Sequence, residues 1–343
     1  MYKRIQLYKN EKSISFFDCC DGFNDKYECS ADCCVKGDVT KVYTTLKDAI
    51  EGADDGSVVY LPGGGFPIAD DIKITKKLTI IGISHTASSD NVDGRTAISG
   101  NLFFDEGSSG SALMGCYVSG NVNIGSETSP VNDILLRYNN LNSIQVSNTA
   151  CRGIEVNQNY IRNMSDFGKS NVKITNNIIH SIVNLDGGII SNNIISSLTS
   201  LKKGNHTYHY FITAVNSVII YNVMVANNIN IGWDYLDYYG TADVTNCEAR
   251  GNMLGYQNWG EECVIVKTAW NNVFKSHKGV SPESDYHFQD NYKEYEGTYL
   301  YGGTSFNDTK LPPVPMIVNC EVDEQTDAEG KLNIRINVKA VTE

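Results

Sequence analysis

No run of eighteen or more apolar residues occurs in this 343-residue chain, so no segment reads as a membrane-spanning helix. The start, Met1-Tyr2-Lys3-Arg4-Ile5-Gln6-Leu7-Tyr8-Lys9, lacks the apolar stretch of a signal peptide, because Asn10, Glu11 and Lys12 interrupt it. The expectation is that the protein is not exported by that route or that a leader has been cleaved. Dense Lys/Arg runs are missing too. With 28 basic against 40 acidic residues the formal charge is −12, which argues against a nucleic-acid or anionic-membrane surface. Neutral glycans, cations or proteins suit that charge better, and an anionic polysaccharide would need a local basic patch or a bridging cation. Paired Cys-x-x-Cys knuckles are absent, so the crowd of Cys19, Cys20, Cys29, Cys33 and Cys34 lacks the strong zinc signature. Zinc thiolates, disulfides and free thiols all stay open for it. The scattered Cys116, Cys151, Cys247, Cys263 and Cys320 read as small core residues.

What the chain has in quantity is asparagine at coil-like intervals. Asn101, Asn121, Asn140, Asn159, Asn177, Asn193, Asn228, Asn252 and Asn272 are each followed by an apolar residue, at steps of 20, 19, 19, 18, 16, 35, 24 and 20 residues. Such steps are too irregular for a helical solenoid but natural for stacked turns with variable loops, the pattern of a parallel β-helix. Asn tolerates a left-handed corner, and one Asn per coil can pass amide hydrogen bonds up the stack. The apolar residue after it is expected to point into the core, and the alternation in Val172 to Ile179 fits strands with one face buried. A core of 41% hydrophobic residues can run this long as one solenoid.

Ahead of the repeat, Thr45 with Asp48 predicts a capped helix whose apolar face is Leu46, Ala49 and Ile50 and whose stop is Gly52. Strands are expected at Ser57 to Leu61, Ile72 to Ile74 and Leu78 to Ile81, with a turn at Pro62 to Gly65. After residue 280 the Asn pattern ends. A hairpin is expected there, with strands near Met316 to Val322 and Leu332 to Val338. The organisation read from the sequence is thus a Cys-rich lead-in over 1–40, a parallel β-helix with its N-terminal cap over 41–280, and a C-terminal capping segment over 281–343.

The run Thr45-Leu46-Lys47-Asp48-Ala49-Ile50, then Gly56 to Gly64, then Ile72 to Gly82 resembles the opening of pectin-lyase-like right-handed β-helix proteins. With the Asn repeat the resemblance covers roughly residues 40 to 280. It implies an all-β fold, a right-handed single-stranded parallel β-helix of three sheets, with an N-terminal capping helix and a C-terminal β-hairpin cap. Polysaccharide lyases, hydrolases, esterases, adhesins and phage tailspikes share that fold. The tail from Leu311 to Ile334 is similar to the ends of uncharacterised secreted β-helix proteins of gut bacteria, which implies a secreted or cell-surface location. The catalytic signatures of polygalacturonases, pectate lyases and pectin methylesterases are all absent, so no catalytic residue carries over, and fold alone names no activity.

Two long steps of the repeat hold the candidate site. The 35-residue step contains His206-Thr207-Tyr208-His209-Tyr210-Phe211, where His206, Tyr208, His209 and Tyr210 offer rings for sugar faces and polar tips for hydroxyls. The 24-residue step contains Trp233, Asp234, Tyr235, Asp237, Tyr238 and, further on, Arg250. Trp233, Tyr235 and Tyr238 extend the ligand-binding set. Asp234 or Asp237 would serve as base or nucleophile at a glycosidic bond, or hold a bridging Ca²⁺, with Arg250 neutralising a sugar carboxylate. No resident metal or other cofactor is expected. The expected function is polysaccharide binding by an extracellular or surface protein, with a lyase or hydrolase of unrecognised type, and a tailspike-like fibre, as the other two classes. A monomer is expected, or a trimer in the case of a fibre.

Overall fold

The computed structural model describes residues 33–36, 41–68, 70–86, 94–148, 150–168, 171–185, 188–199, 212–215, 218–219, 247–251, 253–254, 262, 264–266, 268, 270–322 and 334–340. They form a parallel β-solenoid of about six turns, with little helix and a small antiparallel hairpin near the C-terminus. One sheet stacks Val58–Leu61, Thr79–Gly82, Ala112–Met114, Leu135–Arg137, Arg152–Asn157, Asn171–Thr175, Gly188–Ser191, Ile212–Val215 and Cys247–Arg250 in parallel order. The second runs through Thr96–Ser99, Cys116–Ile124, Asn140–Val146, Tyr160–Gly168, Ile178–Leu185, Ile194–Thr199, Val218–Ile219, Met253–Leu254 and Val264–Ile265. Cys116–Ile124 pairs through its first half with Thr96–Ser99 and through its second with Leu102–Phe104, with a register shift between Val118 and Asn121.

The near end of the stack is closed by locally encoded pieces. Thr45 Oγ1 accepts the Asp48 N–H at 3.1 Å, starting the helix Leu46–Gly52, whose Leu46, Ala49 and Ile50 are buried in the solenoid core. The far end of that helix is met by a cation: Lys76 Nζ donates to the carbonyls of Glu51 and Ala53 at 2.7 and 2.6 Å. The short strands Cys33–Lys36 and Lys41–Tyr43 then finish the first sheet in antiparallel sense, so the outermost edge is three residues long, a poor template for edge pairing.

The asparagine ladder exists, but its membership differs from the sequence pattern. Asn139, Asn159, Asn177 and Asn193 occupy one inner corner on successive coils, and all four are fully buried. Each Oδ1 accepts from the coil before. Asn139 N donates to Asn159 Oδ1, Asn159 N to Asn177 Oδ1 and Asn177 N to Asn193 Oδ1, at 2.9, 2.9 and 2.8 Å. The amide groups donate their own N–H to backbone carbonyls: Asn159 Nδ2 to Leu136 and Asn157, Asn177 Nδ2 to Val156 and Thr175, Asn193 Nδ2 to Ile174 and Ser191. Buried corner groups are thereby satisfied without water.

Asn140 is not a rung; it begins a strand and points outward, in register with Tyr160. Asn101 and Asn121 belong to a different corner, aligned with Ser143, where Asn101 Oδ1 accepts the Asn121 N–H at 2.8 Å. The left-handed backbone also falls one residue earlier than expected. Tyr138, Gln158, Asn176 and Asn192, each just before a rung, have φ of 58°, 55°, 53° and 59°, and the rungs do not. Each corner therefore has two residues, the first turning the chain and the second tying the coils.

This division corrects the expected direction of the apolar residue after each Asn. Leu102, Val122 and Leu141 do lie in the solenoid core. Tyr160, Ile178 and Ile194 instead form an outer row, and the core positions are taken by the next residues, Ile161, Ile179 and Ile195. An outer apolar row needs a cover. Phe274, Tyr286, Phe288, Tyr299, Leu300 and Phe306 supply it. The Phe306 ring meets Tyr160 edge-on with centroids 5.4 Å apart.

The covering segment is tied to the turning residues of the corner. Asn192 Nδ2 donates to the Thr298 and Tyr299 carbonyls, Asn176 Nδ2 to those of Leu300 and Gly302, and the Asn307 N–H to Gln158 Oε1, all within 2.9 Å. Further on, Pro312 crosses the same corner at Gly115. A Cβ on Gly115, whose φ is 69°, would lie 2.9 Å from Pro312 Cγ and 2.3 Å from the Gly82 carbonyl, so only glycine fits there. Residues 298–312 thus form a strap lying lengthwise across the coils of Asn192, Asn176, Gln158 and Gly115 in reverse order. The expected hairpin follows it, Pro315–Val322 pairing antiparallel with Ile334–Ala340.

Candidate functional site

His206, Tyr208, His209, Tyr210, Trp233, Asp234, Tyr235, Asp237 and Tyr238 lie outside the described residues. Of the sequence candidates only Arg250 has a described backbone, at the end of Cys247–Arg250, paired in register with Val215. That set is therefore not what the described residues bear on, and among them two other constellations stand out.

The first is a polar stripe on the outer face of the second sheet. Asn121, Ser143, Asn163 and Ser181 sit in register on four successive coils. Beside the last three run Asn142, Arg162 and His180, one residue earlier on each strand, and Ser196 continues that second row on the next coil. Two outward residues in a row arise because the strands turn a corner there, between inward-facing Leu141 and Ile144 or Ile161 and Met164. Asn121, Arg162, Asn163 and His180 are exposed and the others of the two rows half-buried. Among the described residues, no side chain of Ser143, Arg162, Asn163, His180 or Ser181 is engaged in a hydrogen bond or an ion pair, in contrast to the fully employed amides of the inner corner. Neighbouring coils are about 4.8 Å apart, so the stripe offers a fresh amide or hydroxyl at each such step.

The second constellation is a charged cluster within the covering segment. His287, on the strand Asp285–Phe288, has both ring nitrogens on carboxylates: Nδ1 on Glu296 Oε1 at 2.6 Å and Nε2 on Asp308 Oδ2 at 3.1 Å. Glu296 Oε2 accepts the Phe288 N–H and Asp308 Oδ1 accepts from the Tyr301 hydroxyl, at 3.1 and 3.0 Å. The Tyr301 ring stacks on His287 with a 1° interplanar angle and centroids 4.2 Å apart. Burial lowers the imidazole's proton affinity, but the Glu296 bond and the charges of Asp308, Glu296 and Asp285 outweigh it, so His287 titrates above its ordinary range. Burial, with the Asp308 charge, pushes the Tyr301 phenol far up, which removes it as an acid or base near neutrality.

Among the described residues no group of three His, Cys, Asp or Glu side chains is placed to hold a metal ion. The sequence missed both constellations for a physical reason. His287, Glu296 and Asp308 are 9 and 21 residues apart, spacings set by how the segment folds and not by one element's period. The stripe does have a sequence signal, since two polar residues interrupt the alternation in Leu141-Asn142-Ser143-Ile144, Ile161-Arg162-Asn163-Met164 and Ile179-His180-Ser181-Ile182.

The thiols that can be placed are inert. Cys116 and Cys151 are free and buried, Cys33 is buried, and burial pushes the Cys116 thiol up to about 12. Cys116 and Cys151 are core residues, as their isolation in the sequence suggests. Under native conditions at pH 8, labelling of Cys116 by a maleimide is expected to be slower by more than about a hundredfold than in denaturant. Mass spectrometry of the labelled peptide reads this directly. His85 is another buried titratable group, lowered to about 3 by burial and the Lys310 charge, and it packs against Tyr160 with centroids 5.4 Å apart. It is a neutral core histidine.

Comparison with protein-family models, with curated proteins and with solved structures gives no match, so the functional reading rests on the geometry of this chain alone.

Proposed function

We propose that this protein is a non-catalytic, extracellular or surface β-solenoid that binds a linear polysaccharide along the polar stripe of its second sheet. The observation that carries the reading is the row Asn121, Ser143, Asn163 and Ser181, which repeats once per coil and in which the side chains of Ser143, Asn163 and Ser181 make no hydrogen bond among the described residues. A pyranose residue in an extended chain is about as long as one coil step of about 4.8 Å, so successive sugars would meet successive amides and hydroxyls. Arg162 and His180 add donors beside the row without making a basic surface of the kind nucleic acids need. The covered row of Tyr160, Ile178 and Ile194 stands next to the stripe and gives it one aromatic-rich border.

In the same reading the coil is right-handed with three faces, the bend at Val118 to Asn121 dividing the second sheet into two, as in pectin-lyase-like proteins. In this reading His206, Tyr208, His209, Tyr210, Trp233, Tyr235 and Tyr238 belong to the ligand-binding set as well.

Binding of a panel of soluble polysaccharides is the test. The Asn163→Ala, His180→Ala double variant is expected to weaken the best ligand by about tenfold or more, since each lost hydrogen bond is worth about 1 kcal/mol, with the fold unchanged by circular dichroism. Unaltered affinity would remove the stripe from the site. Release of reducing or unsaturated ends from the same panel, with or without Ca²⁺, would make the protein an enzyme and overturn the reading. A trimeric mass in solution would favour a fibre.

A further inference from the structure

The covering segment is built as a closure and not as plain core. Its grip on the coils uses three polar side chains, those of Gln158, Asn176 and Asn192, and one outer apolar row. Its own shape is braced by His287, which joins the strand Asp285–Phe288 to Glu296 on one side and to Asp308 on the other. Only an imidazolium donates from both nitrogens, so both bonds are strong only while the ring carries its second proton. Asp308 is the neighbour of Asn307, whose N–H docks on Gln158, so the brace and the grip are joined through one peptide.

We propose that this strap is a pH-sensitive closure: protonated His287 clasps it onto the outer row of the solenoid, and deprotonation of His287 loosens it. The groups facing His287 are Glu296, Asp308 and Asp285, with Tyr301 stacked on the ring, and no cation among the described residues faces it; Lys310, two residues after Asp308, donates to the Pro282 carbonyl. Loss of the imidazolium therefore leaves three carboxylates together without a positive charge between them. The folded-state titration of His287 lies above its ordinary value, so the clasp is fully set below about pH 6.5 and is lost as pH rises through the raised value. Loosening bares Tyr160, Ile178 and Ile194 to solvent.

Amide hydrogen exchange of the whole protein between about pH 6 and about pH 9 tests this, after correction for the intrinsic chemistry. The Asn307 amide reports the strap, because its acceptor is on the coil, and the Asn159 amide, bonded to Asn177, reports the coil. The protection of Asn307 is expected to fall severalfold across this range while that of Asn159 holds. In His287→Gln, whose partly exposed site tolerates the change, Asn307 protection should be low and without slope. In Glu296→Gln the fall should begin at lower pH. Protection of Asn307 that is flat in the native protein, or that keeps its native slope in His287→Gln, would overturn the proposal.

Discussion

Replacing Asn177 with alanine is expected to lower the unfolding free energy by about 4 kcal/mol, a large part of any domain's margin. The magnitude follows from what its amide holds. Nδ2 donates to Val156 O, Thr175 O and Asn193 Oδ1 at 2.8, 2.9 and 3.0 Å, and Oδ1 accepts from both Asn159 N and Asn159 Nδ2. Alanine takes a donor from the Val156 carbonyl and the acceptor from the Asn159 N–H in a corner with no exposure, and each such lost partner costs about 1 to 3 kcal/mol. The Thr175 carbonyl keeps the Gln158 N–H and the Asn157 amide. Asn140→Ala is the control. That residue is half-buried, outward-facing and no part of the ladder, so the change is expected to stay within about 0.5 kcal/mol. Guanidinium unfolding followed by circular dichroism compares the two, and equal effects would remove the ladder from the account of stability.

Phe306→Ala should unpin the strap at a cost of about 3 kcal/mol. Its ring is almost wholly buried, edge-on to Tyr160, and is held among the aromatic residues that roof the outer row. The loss is expected to be uneven. Exchange at Asn307 should rise in proportion to the full cost, whereas exchange at Asn159 should rise much less, because the ladder closes the coil from inside. A uniform rise at both amides would mean that strap and coil melt as one unit.

How much of this was legible follows from the range of each interaction. The helix Leu46–Gly52 and the strands after it were readable because caps, stops and alternation act within a few residues. The ladder was half readable. Its 20-, 18- and 16-residue steps show in the asparagines, but pairs such as Asn139-Asn140 and Asn176-Asn177 hide which member turns inward, and one residue of slip exchanges the faces. That slip is why Asn140 stood in for Asn139 and why Tyr160, Ile178 and Ile194 read as core. The strap was not readable at all, since Asn176 and Asn192 bind backbone carbonyls, which every residue has. The stripe was legible only as a fault in the alternation. The aromatic and acidic set from His206 to Tyr238 lies outside the described residues.

A stack of coils in which each touches only its neighbours would be expected to fray from its ends one rung at a time. The strap changes that, because its attachments at Gly115, Gln158, Asn176 and Asn192 couple coils that are not adjacent in the stack. A tension that separates the coils along their axis must extend a single peptide running against them. The middle of this protein should therefore yield all at once under load, with one high force peak in place of a staircase of small ones.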